Sequence, residues 1–254
     1  MLAAVTTFDE RGYEVYGRRF LETFAEHWPS QVRLFVYAEG FRPALPRGEL
    51  RDLLACCPGL VRFKRDYLGI RPRDFRWDAV RFAHKVFALA HAARTAQVEK
   101  LFWLDADTLS FADVPEDFLR SCLPDDCFTS CLVREGMHSE TGFVGYNLEH
   151  VASRDFIEAF EGLYTSGRLF ALPEWHDSYV FDVVRRSFER QGRIRTHNLS
   201  GAFTDTSHPF VNSELGRFMD HLKGPRKEEG RSRESDLILP RNEAYWQLVD
   251  GSGQ

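Results

Sequence analysis

Cysteine is scarce in this chain: five residues among 254, an odd number, at positions 56, 57, 122, 127 and 131. So few thiols at such spacings exclude a disulfide framework and point to reduced, structural side chains, with Cys122 and Cys127 holding only a remote claim on a metal. Long apolar runs are also missing, since no stretch approaches the roughly 18 residues that a spanning helix needs. Met1 is not followed by a basic segment, a hydrophobic region and a cleavage site in order, so the expectation is a cytoplasmic protein. Positive charge is not in excess. The net charge of −5 removes any bulk attraction to nucleic acid or to an anionic membrane, local clusters aside. Nor is there an internal repeat, or a linker rich enough in Gly, Ser or Pro to divide the chain. A single domain over 1–254 is therefore expected, and a hydrophobic content of 43% suffices for its core.

What is present alternates. "LAAVTTF" (2–8), "VRLFVYA" (32–38) and "KLFWLDAD" (100–107) have the length and the β-branched or aromatic content of buried strands. Between the first two, Tyr16, Phe20, Phe24 and Trp28 recur at four-residue spacing, which predicts an amphipathic helix. A short helix near 47–55 and a strand "LVRFKR" (60–65) are expected next. "WDAVRFAHKVFALAHAARTA" then forms a long helix leading into the third apolar run. Downstream, 128–133 and 141–148 read as strands. Residues 153–167 read as a helix capped by Ser153, and 175–192 as a helix closed by Gly192. Regularity fades after 196, with a helix expected over "NSELGRFMDHL" and a charged segment, 223–236, read as mobile. Strands alternating with helices predict an α/β fold whose central sheet is mixed but mostly parallel and flanked by helices.

One feature resists a purely structural reading. The apolar strand at 100–104 runs into two carboxylates, Asp105 and Asp107. In open parallel sheets, ligands bind beyond the carboxyl ends of the strands, so the position predicts a site. Residues i and i+2 of a strand face the same side, and two like charges that close need a cation or a shared proton. A hard divalent ion bridging to a diphosphate meets that need, because Mg(II) and Mn(II) prefer oxygen ligands and are held by one or two carboxylates plus phosphate. The plainer alternative is a solvated turn.

"LDADT" after an apolar strand, behind a helix carrying "RFAHK" and with "VTTFDERGY" at the start, resembles the D-x-D motif of the GT-A (Rossmann-like) glycosyltransferases. "HLKGPRK" reads His221-x-x-Gly224-x-x-Lys227 and is similar to the H-x-x-G-x-x-K of family-eight glycosyltransferases, the group of glycogenin and the lipopolysaccharide galactosyltransferases. The resemblance implies Asp105, Asp107 and His221 as ligands of Mn(II), or of Mg(II), and Lys227 on the donor diphosphate. An imidazole among the ligands suits Mn(II) better than Mg(II).

The resemblance also implies a nucleotide-binding half over about 1–110, an acceptor half over about 111–222, and a lid and tail over 223–254. Thr6, Thr7 and Tyr13 would meet the uracil and ribose. Arg81 and Lys85, one turn apart on the long helix, would face the donor, with Ala106, Gly142 and Gly224 beside it. "ETGFVGYN" stands where the family has an asparagine-small-glycine strand, so Glu140 and Thr141 would line the sugar pocket in an altered form. Asp177 matches the family's aspartate near the anomeric carbon, but Ser178 replaces the glutamine that follows it. That departure leaves both outcomes open: retention, or inversion with Asp177 or Glu174 as base. His176 and His208 are further candidates for acceptor contact.

The function expected is metal-dependent transfer of a hexose from a UDP-sugar to the hydroxyl of a glycan or other acceptor. The acidic balance argues against nucleic acid as that acceptor. A sugar nucleotidyltransferase would share the fold and the acidic site, but "TTFDERGYE" lacks its Gly-rich, basic loop. A non-catalytic nucleotide-sugar binding module is the alternative from a different class.

Overall fold

The computed structural model describes residues 1–206 and 208–247; the end of the expected tail, 248–254, lies outside them. The chain opens with strand β1 (Leu2–Asp9). A continuous helical stretch follows: a first turn, α1 (Glu10–Gly12), capped by the Asp9 carboxylate on Gly12 N, then a π-helical turn over Tyr13–Gly17, then α2 (Arg18–His27). Strands β2 (Arg33–Glu39) and β3 (Glu49–Asp52) precede two short helices, α3 (Leu53–Cys56) and α4 (Pro58–Tyr67). The long helix α5 (Ala79–Thr95), capped by Asp78, leads into β4 (Lys100–Leu104) and then β5 (Thr108–Ser110). There follow α6 (Glu116–Cys122), β6 (Thr129–Leu132), β7 (Glu140–Asn147), α7 (Ser153–Thr165), α8 (Asp177–Arg190) and β8 (Thr196–Asn198). The last part holds α9 (Pro209–Asn212), β9 (Met219–His221), α10 (Arg226–Glu229) and α11 (Ala244–Gln247).

Seven strands form one sheet in the order β3-β2-β1-β4-β7-β6-β8, and only β7 runs against the rest. This is the expected single α/β domain with a mixed, mostly parallel sheet flanked by helices. Strand side chains alternate between two cores. Ala3, Val5, Phe35, Tyr37, Leu101 and Trp103 pack with α4, α5, α7 and α8 on one face. Leu2, Ala4, Leu34, Val36, Phe102 and Leu104 pack with Phe20, Phe24 and Trp28 of the other layer. Burial on both faces explains why these strands read as unbroken apolar runs, each large side chain contributing about 1.5–3 kcal/mol.

Four expectations need correction. Residues 60–65 are helical, not a strand: Pro58 sits in the first turn of α4, and Leu60 and Phe63 face the core one turn apart with Tyr67 packed behind. The helix near 47–55 splits into β3 and the single turn of α3, the Asp52 carboxylate accepting from Ala55 N. Ser153 is the first residue of α7 rather than its cap, and Ala152 before it offers no capping side chain. Over 212–222 the chain makes the end of α9, a 3-10 turn (Glu214–Arg217) and β9 instead of a helix. Gly192 does end α8 in the left-handed conformation, at φ +64°.

No helix among the described residues is long and apolar enough to cross a membrane. All five cysteines are free, and Cys57, Cys122, Cys127 and Cys131 are buried.

Candidate functional site

The apolar register of β4 stops at Leu104, and Asp105–Ala106–Asp107 leave the sheet in a turn closed by Thr108 N on Asp105 O at 3.0 Å. The two aspartates therefore converge through a turn, not through strand alternation as expected. β5 then pairs antiparallel with β9 in a register that sets Thr108 opposite His221, and Leu222 N donates to Asp107 O at 2.8 Å. That three-residue ladder carries a histidine from far downstream to the aspartate turn.

The imidazole is oriented from behind. Its Nδ1 lies 2.8 Å from Glu140 Oε1, which directs Nε2 toward Asp107 Oδ1 at 3.2 Å and Asp105 Oδ2 at 3.7 Å. Burial alone would lower the His221 pKa, but Asp107 and Glu140 raise it to about 9. Each aspartate gives its other oxygen to a lysine: Asp107 Oδ2 to Lys227 at 2.8 Å, Asp105 Oδ1 to Lys85 at 3.0 Å. Trp103 Nε1 also donates to Asp105 Oδ1 at 2.6 Å. Burial pushes the Asp107 carboxyl up, yet His221 and Lys227 hold it well below the usual carboxylate range.

One ligand atom from each of Asp105, Asp107 and His221 therefore lies within 4.8 Å of the other two. The donor chemistry, two carboxylate oxygens and an imidazole nitrogen whose far side is held by a carboxylate, fits a divalent ion of the Mn(II) kind. Gly142 makes room for this arrangement, because a Cβ there would stand 2.4 Å from His221 Cε1.

On the other face of β7, Thr141 joins a second cluster. Lys85 is buried on α5, with Nζ 2.6 Å from Thr141 O and 2.8 Å from Asp177 Oδ2. Thr141 Oγ1 donates to Asp177 Oδ2 at 2.8 Å and lies 2.7 Å from Ser178 Oγ. Burial raises the Asp177 carboxyl, but Lys85 outweighs it and the pKa lies below the ordinary value. Asp105, Asp107, Lys85, Asp177, His221 and Lys227 all line one cleft of about 1860 Å³. Arg81, Ala106, Glu140, Thr141, Gly142, Glu174, His176 and Gly224 line it too, Gly224 at φ +57°.

Other expected residues lie elsewhere or act otherwise. Thr6 is fully buried in β1 and faces away from the cleft; Thr7 lines it, but its hydroxyl donates to Tyr37 O at 2.8 Å. Tyr13 packs in an aromatic cluster with Phe8 and Phe41, so it is core rather than a base-stacking ring. Glu140 is a partner of His221 and Lys223 more than a bare wall of a sugar pocket. Asp78, just before Arg81, caps α5, its carboxylate accepting from Arg81 N at 3.2 Å. His208 is buried against Ser232, 3.1 Å from Nε2 to Oγ, and burial lowers its pKa to about 3.

Tyr16 is a residue that sequence reasoning misses. It lies in the π turn, packed on the edge of the core and lining the cleft, with Lys227 Nζ 4.7 Å from its ring centre, and burial and Asp107 push its pKa up to about 12. Four-residue spacing makes it look like Phe20 and Phe24; the only local hint is Gly12, whose Cβ would stand 2.6 Å from the Tyr16 hydroxyl.

The segment expected to be a mobile lid has defined contacts. Ser232 donates from N and Oγ to Asp220 at 2.7 and 2.6 Å, and Arg226 pairs with Asp236.

No protein-family model matches the chain, and no curated protein matches it in sequence. Similar solved structures include the apo form of the bifunctional glycosyltransferase WbbM (TM-score 0.49, 13% identity), over 78% of this chain and 38% of that one. Apo mouse xyloside xylosyltransferase 1 is similar over 78% of this chain and 84% of its own (TM-score 0.49, 9% identity). A glycosyltransferase involved in glycosylating the major capsid of PBCV-1 covers 91% of this chain and the whole of its own (TM-score 0.48, 13% identity). This chain thus spans well under half of the WbbM chain. Likeness at these values carries no argument about activity, which has to rest on the residues themselves.

Proposed function

We propose that the protein is a metal-dependent glycosyltransferase that moves a hexose from a UDP-sugar to an acceptor hydroxyl, with retention at the anomeric carbon. The observation that carries this reading is the β5–β9 register, which sets His221 opposite Thr108 and so completes an O,O,N donor set beside two lysines. A bound Mn(II) would supply charge to the donor diphosphate and to the leaving group as it departs. Asp105, Asp107 and His221 would hold the ion. Lys227, already within the cleft, would exchange its contact with Asp107 for the diphosphate and add a second positive charge there. The packing of Lys227 over Tyr16 keeps the ammonium near that position.

Retention is favoured over inversion by the state of Asp177. A general base needs a pKa near the operating pH, whereas Lys85 and Thr141 hold this carboxylate as an anion with its Oδ2 engaged. Its geometry suits electrostatic stabilisation of positive charge at the anomeric carbon better than proton abstraction. Ser178 Oγ, beside it, supplies a hydroxyl where the family places an amide.

A screen of nucleotide-sugars for Mn(II)-stimulated UDP release tests the proposal and identifies the donor. Release from at least one UDP-hexose is expected, together with its loss in Asp107→Ala at retained fold. Calorimetry showing no UDP binding with Mn(II) present would overturn the reading.

A further inference from the structure

The same cleft holds a second group of potential ligands that the transferase reading does not use. His138, in the loop before β7, and Glu174 and His176, on the approach to α8, each offer an atom within 4.8 Å of the other two. His176 is buried, and its Nε2 lies 2.8 Å from Glu174 Oε2. Its ring centre is 4.4 Å from that of His138, edge to face. No ring nitrogen of His138 has a hydrogen-bond partner among the described residues. A half-buried imidazole that faces a second imidazole and a carboxylate, without a partner of its own, has an unspent lone pair.

We propose that His138, Glu174 and His176 bind a divalent transition ion of the Zn(II) class. Two imidazoles and one carboxylate are the donor set of open zinc sites, in which three protein ligands leave a fourth position for water or substrate. The set differs in kind from Asp105–Asp107–His221. Imidazole-rich ligands favour Zn(II), Co(II) or Ni(II), and carboxylate-rich ones Mn(II) or Mg(II), so two sites in one cleft would sort ions by softness.

Local chemistry is consistent with loading. His176 Nδ1 accepts from Tyr179 N at 3.4 Å, a long capping contact. An ion at Nε2 would require the ring proton at Nδ1, at the cost of that contact. Arg76 Nη1, 3.8 Å from Glu174 Oε1, is the competing cation and is exposed enough to swing aside. An ion there would tie the 134–139 loop to the start of α8, next to Asp177.

The imidazole site stands or falls independently of the transferase activity. Chelator-stripped protein titrated with Co(II), followed by visible absorption and then by Zn(II) competition, tests it. Two equivalents are expected, one of them giving the intense band of a four-coordinate, nitrogen-ligated ion. His138→Gln and Glu174→Gln should each lose that band and weaken the equivalent by at least about tenfold. Asp107→Ala should lose the other equivalent and keep the band. A single equivalent without the band in the wild type, or a band unchanged in both glutamine variants, overturns the site. If Asp107→Ala keeps both equivalents while the glutamine variants lose one, the imidazole site stands and the carboxylate site fails.

Discussion

Two buried carboxylates, Asp107 and Asp177, each meet a lysine at 2.8 Å, and the origin of that lysine separates them. Lys85 projects from α5, which packs against β1, α4, α7 and α8 and is as much core as the sheet itself. Lys227 arrives on α10, a single turn of helix braced within its own segment by Arg226 on Asp236 and tied to the body by Ser232 on Asp220 and by Arg19 on Gly230 O at 2.8 Å. The first pair is built into the fold. The second is held more loosely, as the proposed transfer of Lys227 from Asp107 to a donor diphosphate would require. Stability and activity should therefore respond differently to the loss of each lysine.

The largest effect on folding is expected at α5. Lys85→Met keeps the volume but leaves the buried Asp177 carboxylate with the Thr141 hydroxyl in place of its lysine, and removing one member of a buried pair costs about 3–5 kcal/mol. Urea unfolding should show that loss as a lower midpoint at unchanged slope. A shift under about 1 kcal/mol would place Lys85 among the exchangeable groups and erase the contrast with Lys227.

Lys227→Met breaks the comparison from the other side. Asp107 retains His221, and the lysine is partly exposed, so stability should move by about 1 kcal/mol or less. Turnover should fall by about 10²–10³, the amount typical of losing one charge-stabilising donor in a transition state. Steady-state kinetics on the donor found by the UDP-release screen would measure it. Unchanged kcat/KM would remove Lys227 from the diphosphate.

The same contrast separates what the amino-acid sequence makes legible from what it hides. β4 and its aspartates are legible because an apolar strand that ends in charge has only one low-cost place to end, the rim of the sheet. Lys85, Asp107, Asp177, His221 and Lys227 can all be named from the chain, and they line one cleft. Thr6 and Tyr13 have only proximity to a strand end in their favour, and the side-chain direction each takes is decided by packing: Thr6 by the alternation of β1, Tyr13 by Phe8 and Phe41. The segment 60–65 misleads for a different reason. "LVRFKR" satisfies a period of two almost as well as Leu60, Phe63 and Tyr67 satisfy a helix, and Pro58 decides it only once the start of the helix is known.

Glu140 is the least legible of the residues at the proposed ion site, and it gives the smallest predicted effect. Its partner, His221, reaches it only through a ladder of three residue pairs, for which three-residue strands leave no periodic signal. Its place opposite Nδ1 implies a positioning role: the carboxylate holds the ring so that Nε2 faces the aspartates, and it binds Lys223 through its other oxygen. Glu140→Gln keeps an acceptor for Nδ1 but removes the charge that enriches the ring and anchors Lys223. Mn(II) affinity should fall by about 10- to 100-fold, the range for partners behind a metal-bound histidine, with the fold retained. A titration of free Mn(II) by electron paramagnetic resonance measures this without any donor or acceptor, and so without the turnover on which the Lys227 comparison depends. Affinity equal to the wild type would mean that the β5–β9 ladder alone fixes His221, and the contrast between a built-in Asp177 site and an exchangeable Asp107 site would then begin at Lys227, not at the imidazole.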